Sequence, residues 1–151
     1  MAAWLVVACA EHVARGRREG FVQACHGKAA PLRRMKPGDW VVCYSPSSAF
    51  RGADGLKAFT ALGQVAEGQP FLFDMGGGFI PWRRQIRWLE ARPAPLREVA
   101  AHLELTRDPA WGWRLRQGYL PLSEADADCL RRAMGRMEGL PVALGAGVRA
   151  S

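Results

Sequence analysis

The sequence has neither a C-x-x-C pair nor a dense set of cysteines, which argues against the disulfide framework of small secreted domains. Its four cysteines, Cys9, Cys25, Cys43 and Cys129, are spread along the chain, and we expect them to be reduced thiols. Cys9 and His12 have a spacing that a metal ion could use, but no second close pair accompanies them, and zinc normally takes three or four protein ligands. We therefore expect no metal and no other cofactor.

Long hydrophobic runs are also lacking, since none approaches the roughly 18 apolar residues that a membrane span requires. The opening segment, residues 5–9 (LVVAC), loosely resembles a lipoprotein cleavage box. However, no Lys or Arg precedes it, and Glu11 and His12 end the apolar stretch, unlike a secretory signal. We interpret the segment as a buried strand and expect a cytoplasmic protein that has no membrane partner.

Acidic residues are scarce, with 14 Asp and Glu against 21 Lys and Arg and a formal net charge of +7. This balance favours polyanionic partners, although an arginine-rich proteome would produce the same charge. A chain of 151 residues is long enough for one domain. We assign residues 1–138 to that domain and residues 139–151, which are small and apolar without periodicity, to a flexible C-terminal tail.

Hydrophobic periodicity predicts an α+β domain. The six predicted strands cover residues 4–8, 40–44, 57–65, 69–74, 80–90 and 117–122, and residues 21–23 are expected to be extended. Helices are predicted at residues 11–18, in a short turn at 31–35, from Pro95 through Leu103, and after the capping residue Ser123, where Ala127, Leu130, Met134 and Met137 form the buried stripe. Closely spaced strands favour a curled sheet or small barrel over βαβ units.

The segment from residue 25 to residue 28 (CHGK) suggests two kinds of site. A phosphate-binding loop would need Gly at position 22 and Ser or Thr at 29, where the chain has Val22 and Ala29, so that motif is excluded. A nucleophile and base formed by Cys25 and His26 is disfavoured, because neighbours on a strand point to opposite faces and no orienting acid is evident. A loop that faces a ligand and a plain turn both remain open.

Tryptophan next to arginine is the pattern most typical of nucleic-acid binding here. Trp82 precedes Arg83 and Arg84, and Trp113 precedes Arg114; a ring beside a cation suits unstacked bases. A place in the core is the alternative for each ring. A surface that follows phosphates is indicated by a basic run, for which an ordinary solvated face is the alternative: Arg15, Arg17, Arg18, Lys28, Arg33, Arg34 and Lys36.

Nine short blocks distributed between residues 4 and 134 form a more specific pattern together than alone. They are residues 4–8 (WLVVA), 21–23 (FVQ), 26–35 (HGKAAPLRRM), 36–39 (KPGD), 44–46 (YSP), 59–63 (FTALG), 81–84 (PWRR), 111–112 (WG) and 123–126 (SEAD). In this order they resemble the bacterial and archaeal EVE-domain proteins. The resemblance implies a PUA-like fold, a bent β-barrel of about six strands flanked by helices, with kinship to YTH domains. It also implies a module that recognises a modified base of DNA or RNA.

The resemblance further implies a base pocket between the end of the first strand and the segment that follows residue 22. Its residues would be Ala8, Cys9, Val22, Gln23, Cys25, His26, Gly27, Tyr44 and Ser45, with Trp82 or Trp113 near the rim. One departure from the pattern is that Val22 and Gln23 stand where YTH domains place a cage Trp. We expect Gln23 to contact the base edge, since its amide is both donor and acceptor.

The resulting hypothesis is that a single-stranded or flipped-out nucleotide of DNA or RNA enters this pocket. Phosphate contacts would come from the neighbouring cations, namely Lys28, Arg33, Arg34, Arg83 and Arg84. No residue is assigned a catalytic role. One alternative is an amidohydrolase that acts on a modified nucleoside, as in ASCH-type relatives, with His26 and Tyr44 but no evident carboxylate. The other is a protein-interaction module.

Overall fold

The computed structural model describes residues 2–135 and confirms the mixed α+β class. The strands are β1 (Ala3–Val7), β2 (Phe21–Val22), β3 (Trp40–Ser45), β4 (Ala58–Val65), β5 (Phe71–Leu72), β6 (Trp82–Trp88), β7 (Ala94–Pro95) and β8 (Tyr119–Leu122). The helices are α1 (Ala10–Glu19), α2 (Ala29–Arg34), α3 (Leu96–Val99), α4 (Trp111–Arg114) and α5 (Glu124–Met134). The predicted tail, residues 139–151, and Met137 of the predicted helical stripe lie outside the described residues.

All eight strands belong to one sheet, in which the order β2-β6-β4-β3-β1-β8 forms the main path, β5 pairs with β6 and β7 pairs with β4. The six predicted strands are all present, and the additional two, β2 and β7, are two residues long. The expectation that the sheet contains no crossover between parallel strands was wrong for one pair. β1 and β3 are parallel, with Leu5 opposite Val42, so the chain crosses over between them through α1, β2 and α2.

The parallel pair is explained by burial on both faces of the sheet. Leu5 and Val42 lie in one core, and the neighbouring residues Val6 and Val41 lie in a second core on the opposite face, as the alternation of side chains along a strand requires. Helix α5 contributes to the first core, and α1 and α2 contribute to the second. Continuous apolar runs are typical of strands that are covered on both sides.

The two helices predicted in the second half of the chain differ in how accurately the sequence predicted their bounds. Ser123 caps α5 as expected, because its hydroxyl accepts a hydrogen bond from the Asp126 N–H at 3.1 Å. By contrast, the helix predicted from Pro95 through Leu103 ends at Val99 and continues as a single 3₁₀ turn. The Thr106 hydroxyl donates to the carbonyls of Ala100 and Leu103, and these carbonyls would otherwise accept the bonds of a longer helix.

Between residues 2 and 135, no helix combines the length and the apolar character that crossing a bilayer demands.

The buried carboxylate of Asp126 connects α5 to the segment that precedes α4. Its Oδ1 accepts from the Glu104 N–H at 2.7 Å, and its Oδ2 accepts from the Leu105 N–H at 2.9 Å. Asp128, on the same helix, is half-buried and pairs with Arg131. The two aspartates therefore provide a matched comparison between a buried acceptor of main-chain bonds and a surface ion pair.

We expect Asp126→Ala to lower the free energy of unfolding by about 3 kcal/mol, because two main-chain N–H groups lose a charged acceptor. Asp128→Ala should cost at most about 1 kcal/mol, as exposed ion pairs usually do. Urea denaturation of both variants measures the difference, and equal losses would contradict the role assigned to Asp126.

Candidate functional site

A pocket of about 380 Å³ opens where the end of β1, the start of α1 and the segment after β2 meet. This volume is typical of small-molecule sites. The pocket is lined by Val7, Ala8, Cys9, His12, Gln23, Ala24, Cys25, His26, Gly27, Phe50, Phe79 and Gly118. Six of the residues predicted for a base pocket are therefore brought together here: Ala8, Cys9, Gln23, Cys25, His26 and Gly27. That they contact a base stays a prediction.

Three other predicted residues are buried in the protein and do not line the pocket. Val22 lies in the second core. Tyr44 lies in the first core, where its ring packs 5.1 Å from that of Phe59 and burial raises its pKa. Ser45 is buried too, and its hydroxyl is hydrogen-bonded to that of Thr60 at 2.7 Å. None of the three is among the residues that line the pocket.

The two predicted rim tryptophans also lie outside the pocket. Trp82 borders it through the main chain, since its N–H donates to the carbonyl of Gly27 at 2.9 Å, while the guanidinium of Arg33 lies 5.6 Å above its ring. Trp113 is 68% exposed on α4, with Arg116 at 4.7 Å from its ring centre.

The rim is formed instead by two phenylalanines that the sequence analysis missed. Phe50 lies in the β3–β4 loop and is 66% exposed, and Phe79 lies in the β5–β6 connection and is 45% exposed. Large exposed apolar side chains on a concave surface are typical of binding sites. The available signal was a Phe inside each of two polar or glycine-rich loops, where no core position exists to explain it.

The loop that carries Phe50 is held in place by the start of α1. The N–H groups of Ala10 and Glu11 donate to the carbonyls of Ser47 and Ser48 at 3.0 and 2.9 Å. Cys9, the N-cap residue, makes no side-chain cap bond, so the loop carbonyls satisfy donors that every helix start leaves free. As a result, this helix start offers no free anion site at those two groups, and it fixes the loop beside the pocket.

The opposite wall is a turn in which three successive residues have left-handed backbone angles. Cys25, His26 and Gly27 have φ values of 51, 59 and 86°, which cost of order 1–3 kcal/mol for a residue other than Gly. The turn is held on one side by the Cys25 thiol, which donates to the carbonyl of Gln117 at 3.0 Å. On the other side it is held by the bond from Trp82. Such strain is common at ligand sites.

Two titratable groups that line the pocket, His12 and Cys25, are held in their uncharged forms near neutral pH. Burial lowers the pKa of His12 below its usual value, and Arg83 and Arg15 lower it further. Burial raises the pKa of the Cys25 thiol, which the nearby Lys28 opposes only in part. Across residues 2–135 the lining includes no Asp or Glu, and no three His, Cys, Asp or Glu side chains cluster as metal ligands would. A neutral planar ligand suits such a pocket.

The prediction that Arg84 contacts phosphate is wrong, because its side chain is buried with only 3% of the residue exposed. Its Nη1 donates to the carbonyls of Leu32 and Met35 at 3.1 and 2.9 Å, and its Nη2 donates to the carbonyl of Gly68 at 3.0 Å. The guanidinium therefore satisfies main-chain acceptors at the end of α2.

The same prediction is wrong for Arg83, which is 2% exposed. Its guanidinium carbon lies 3.5 and 3.8 Å from the ring centres of Phe21 and Phe73. Its Nε donates to Oε1 of Gln23 at 2.8 Å, and its Nη1 approaches Glu19 at 3.4 Å. Arg83 and Arg84 are adjacent in β6 and therefore point to opposite faces, where the β5–β6 hairpin covers Arg83 and α2 covers Arg84.

Three of the predicted phosphate contacts remain available on the surface. Lys28, Arg33 and Arg34 are exposed, and none of them belongs to the four ion pairs found within residues 2–135. Arg34 lies 5.9 Å above the ring of Tyr119, the residue after Gly118 of the pocket. Lys28 follows Gly27 of the pocket and Arg33 lies over the ring of Trp82, so these cations lie on segments next to the pocket.

Comparisons with known proteins identify a family for the chain. The sequence model of the EVE domain matches residues 2–133. A UPF0310 protein of Mesorhizobium japonicum is 47% identical over 135 residues, which cover 87% of this chain and 91% of that protein.

Two solved structures share the fold, and they confirm the PUA-like architecture that the sequence implied. The YTH domain-containing protein Mmi1 in complex with RNA has a TM-score of 0.56 at 8% identity, covering 85% of this chain and 78% of that one. Human THYN1 in complex with DNA that contains 5-methylcytosine has a TM-score of 0.54 at 13% identity, covering 86% and 95%.

The turn of the pocket wall has no room for a side chain at Gly27. A Cβ placed there would lie 2.4 Å from Cβ and 2.9 Å from Cα of Pro81. We expect Gly27→Ala to cost about 1–2 kcal/mol for the left-handed backbone and about 1–3 kcal/mol more for the collision. Gly77→Ala, at a φ of 62° with no atom within 4 Å of its Cβ, should show only the first cost. Urea denaturation compares the two, and equal losses would show that the close approach to Pro81 is unimportant.

Proposed function

The chain belongs to the EVE-domain family, and from this premise we propose that it is a nucleic-acid-binding module whose pocket accommodates one base, in particular a modified base of DNA or RNA. The observation that carries the proposal is a pocket of about 380 Å³ whose described lining includes no Asp, Glu, Lys or Arg, with two exposed phenylalanine rings at its rim and exposed cations on the segments next to it. These are the features that binding an extruded base requires: an apolar cavity, a stacking surface and a place for phosphates.

The class of partner is supported by the two structural neighbours. One was solved with RNA and the other with DNA that contains 5-methylcytosine. Both share the fold of this chain, and both are complexes with nucleic acid. Their low identity transfers no residue, so the contacts proposed for this chain rest on its own pocket.

The base would leave a single strand or an opened duplex, which costs a few kcal/mol of stacking and pairing and least for a damaged or unpaired base. Stacking on one of the exposed rings, Phe50 or Phe79, returns about 1–3 kcal/mol. The neutral imidazole of His12 and the protonated thiol of Cys25 place no charge against the ring. Taking up a neutral base therefore leaves no buried ion unpaired.

Phosphates on either side of the base would lie against Lys28, Arg33 and Arg34. Contacts of this kind add affinity without selecting a sequence, because they act through charge and counterion release. Affinity and selectivity are thus assigned to different residues.

We propose binding without turnover. Cleavage of an amide needs a positioned acid or base, and the described lining supplies neutral His12, exposed His26 and a protonated thiol but no carboxylate. Incubation with acylated nucleosides tests this part of the proposal, because release of the acyl group would favour the amidohydrolase alternative.

The proposed function is tested by fluorescence anisotropy of labelled single strands, with and without modified bases, at about 50 and about 200 mM salt. Three phosphate contacts predict roughly a 20-fold loss of affinity across this range, from the slope of about −0.7 per contact for single strands. The combined variant Lys28→Gln, Arg33→Gln and Arg34→Gln should bind weakly and with little salt dependence.

A matched variant removes three exposed arginines that line no part of the pocket and lie outside the basic run, Arg87, Arg97 and Arg107. This variant loses the same formal charge as the first one. If phosphate binding is confined to Lys28, Arg33 and Arg34, its affinity should fall much less. Binding that ignores salt, or no binding to any strand, would refute the proposal.

The stacking role of the rim is tested by Phe79→Ala, for which we expect affinity for single strands to fall by about 5- to 150-fold. Trp113→Ala is the control, since this ring is more exposed than that of Phe79 yet lies outside the pocket. Both variants should unfold at urea concentrations close to that of the parent. An equal loss of binding in both would show that exposed aromatics contribute without regard to the pocket.

A further inference from the structure

The orientation of the Gln23 amide is determined by Arg83. A guanidinium has only donors, and the Nε of Arg83 lies 2.8 Å from the Gln23 side chain. The amide atom at that position must therefore be the oxygen, and the NH₂ group points the other way. The donor-only chemistry of the guanidinium is therefore sufficient to identify the oxygen and the nitrogen of the amide.

Arg83 is itself unable to move aside. It lies between the rings of Phe21 and Phe73 and contacts Glu19 from the end of α1. Its Nη2 is the one buried side-chain nitrogen or oxygen without a partner within residues 2–135. Rotation of the Gln23 amide would leave Nε without an acceptor as well, and each such loss is costly for a buried charged group.

The NH₂ group of Gln23 is free to face the pocket. Within the part of the chain that the structure describes, no atom accepts a hydrogen bond from it, and it is not among the buried atoms without a partner. The NH₂ group is therefore accessible to a ligand. Because Gln23 lines the pocket, a ligand in the pocket can reach it. Of the neighbouring polar groups, the Cys25 thiol is already engaged with the carbonyl of Gln117.

We propose that Arg83 is a positioning residue that makes Gln23 a hydrogen-bond donor to the ligand, so that the pocket selects a base with an acceptor at its far edge. A base attached to a strand enters with the edge opposite its sugar, which is position 4 of a pyrimidine and position 6 of a purine. The favoured class carries a carbonyl there, as uracil and hypoxanthine do. An amino group, as in cytosine and adenine, would place two donors against each other. The inference rests on the proposed function and narrows its ligand.

The test uses the full chain and single strands that differ only in one central base, uracil against cytosine and hypoxanthine against adenine. We expect the parent to bind the carbonyl member of each pair about 10- to 100-fold more tightly, the range for one satisfied against one mismatched hydrogen bond. Gln23→Glu keeps an acceptor for Arg83 but presents oxygen to the pocket, so the preference should disappear or reverse. Gln23→Met should abolish the preference.

Arg83→Met separates positioning from packing, because it leaves Gln23 in place but allows its amide to rotate. The ratio of affinities between the carbonyl and the amino member of each pair should then approach unity. Arg84→Met is the control. Arg84 is also a buried arginine of β6, but its guanidinium donates to the carbonyls of Leu32, Met35 and Gly68 and not to Gln23. Arg84→Met should lower stability while the ratio between paired strands is unchanged. If Arg83→Met does not fold, Gln23→Glu decides the question.

Equal affinity for both members of each pair, or tighter binding of the amino member, would overturn this inference and leave the proposed function intact. If no strand binds, the proposed function fails. The inference is then judged with free uracil and cytosine, by the side-chain amide resonance of Gln23 in ¹⁵N-labelled protein. A shift with uracil alone supports it, and equal shifts or none refute it.

Discussion

The buried charge of Arg83 is the interaction on which the arrangement of the pocket depends. A guanidinium removed from water is costly unless its donors are matched, and burial lowers its pKa while Glu19 opposes that shift. Its partners come from two parts of the chain: Glu19, Phe21 and Gln23 lie within one five-residue stretch that begins at the end of α1, and Phe73 follows β5. Arg83 therefore fixes this stretch relative to β6 and the β5–β6 hairpin, and the stretch leads into a wall of the pocket.

Arg84 has a comparable effect on the basic surface. Its donors engage the carbonyls of Leu32 and Met35, which lie at the end of α2, where helices leave carbonyls unpaired. Arg33 lies on the same short helix and projects into solvent. A six-residue helix has little stability of its own, so the buried arginine holds the exposed ones in position. Adjacent arginines in β6 thus organise the two sides of the site without contacting solvent themselves.

Local sequence signals were sufficient wherever one element determines its own structure. Ser123 with Asp126 predicted the start of α5, and the apolar run beginning at Trp40 predicted β3. Apart from the early end of α3, which the nearby Thr106 explains, the errors involve partners that are distant in sequence. The apolar run around Leu5 is typical of a strand covered on both sides but does not identify its parallel neighbour, and nothing near β6 indicates that Arg83 and Arg84 are both buried. The resemblance located half of the pocket, but Phe50 and Phe79 come from loops whose position depends on bonds to α1 and on the β5–β6 hairpin.

The strain in the pocket wall has a consequence for selectivity. The left-handed angles at Cys25 and His26 lower the stability of the folded state, and they persist because Pro81, Trp82 and Gln117 restrain the turn. A wall restrained in this way loses little conformational entropy when a ligand enters, which leaves more of the contact energy as affinity. It also cannot adapt to a ligand of the wrong shape or hydrogen-bonding pattern. Under the proposed function, a rigid donor such as Gln23 would discriminate between bases by leaving the wrong one unpaired, whereas the exposed cations would hold any strand equally.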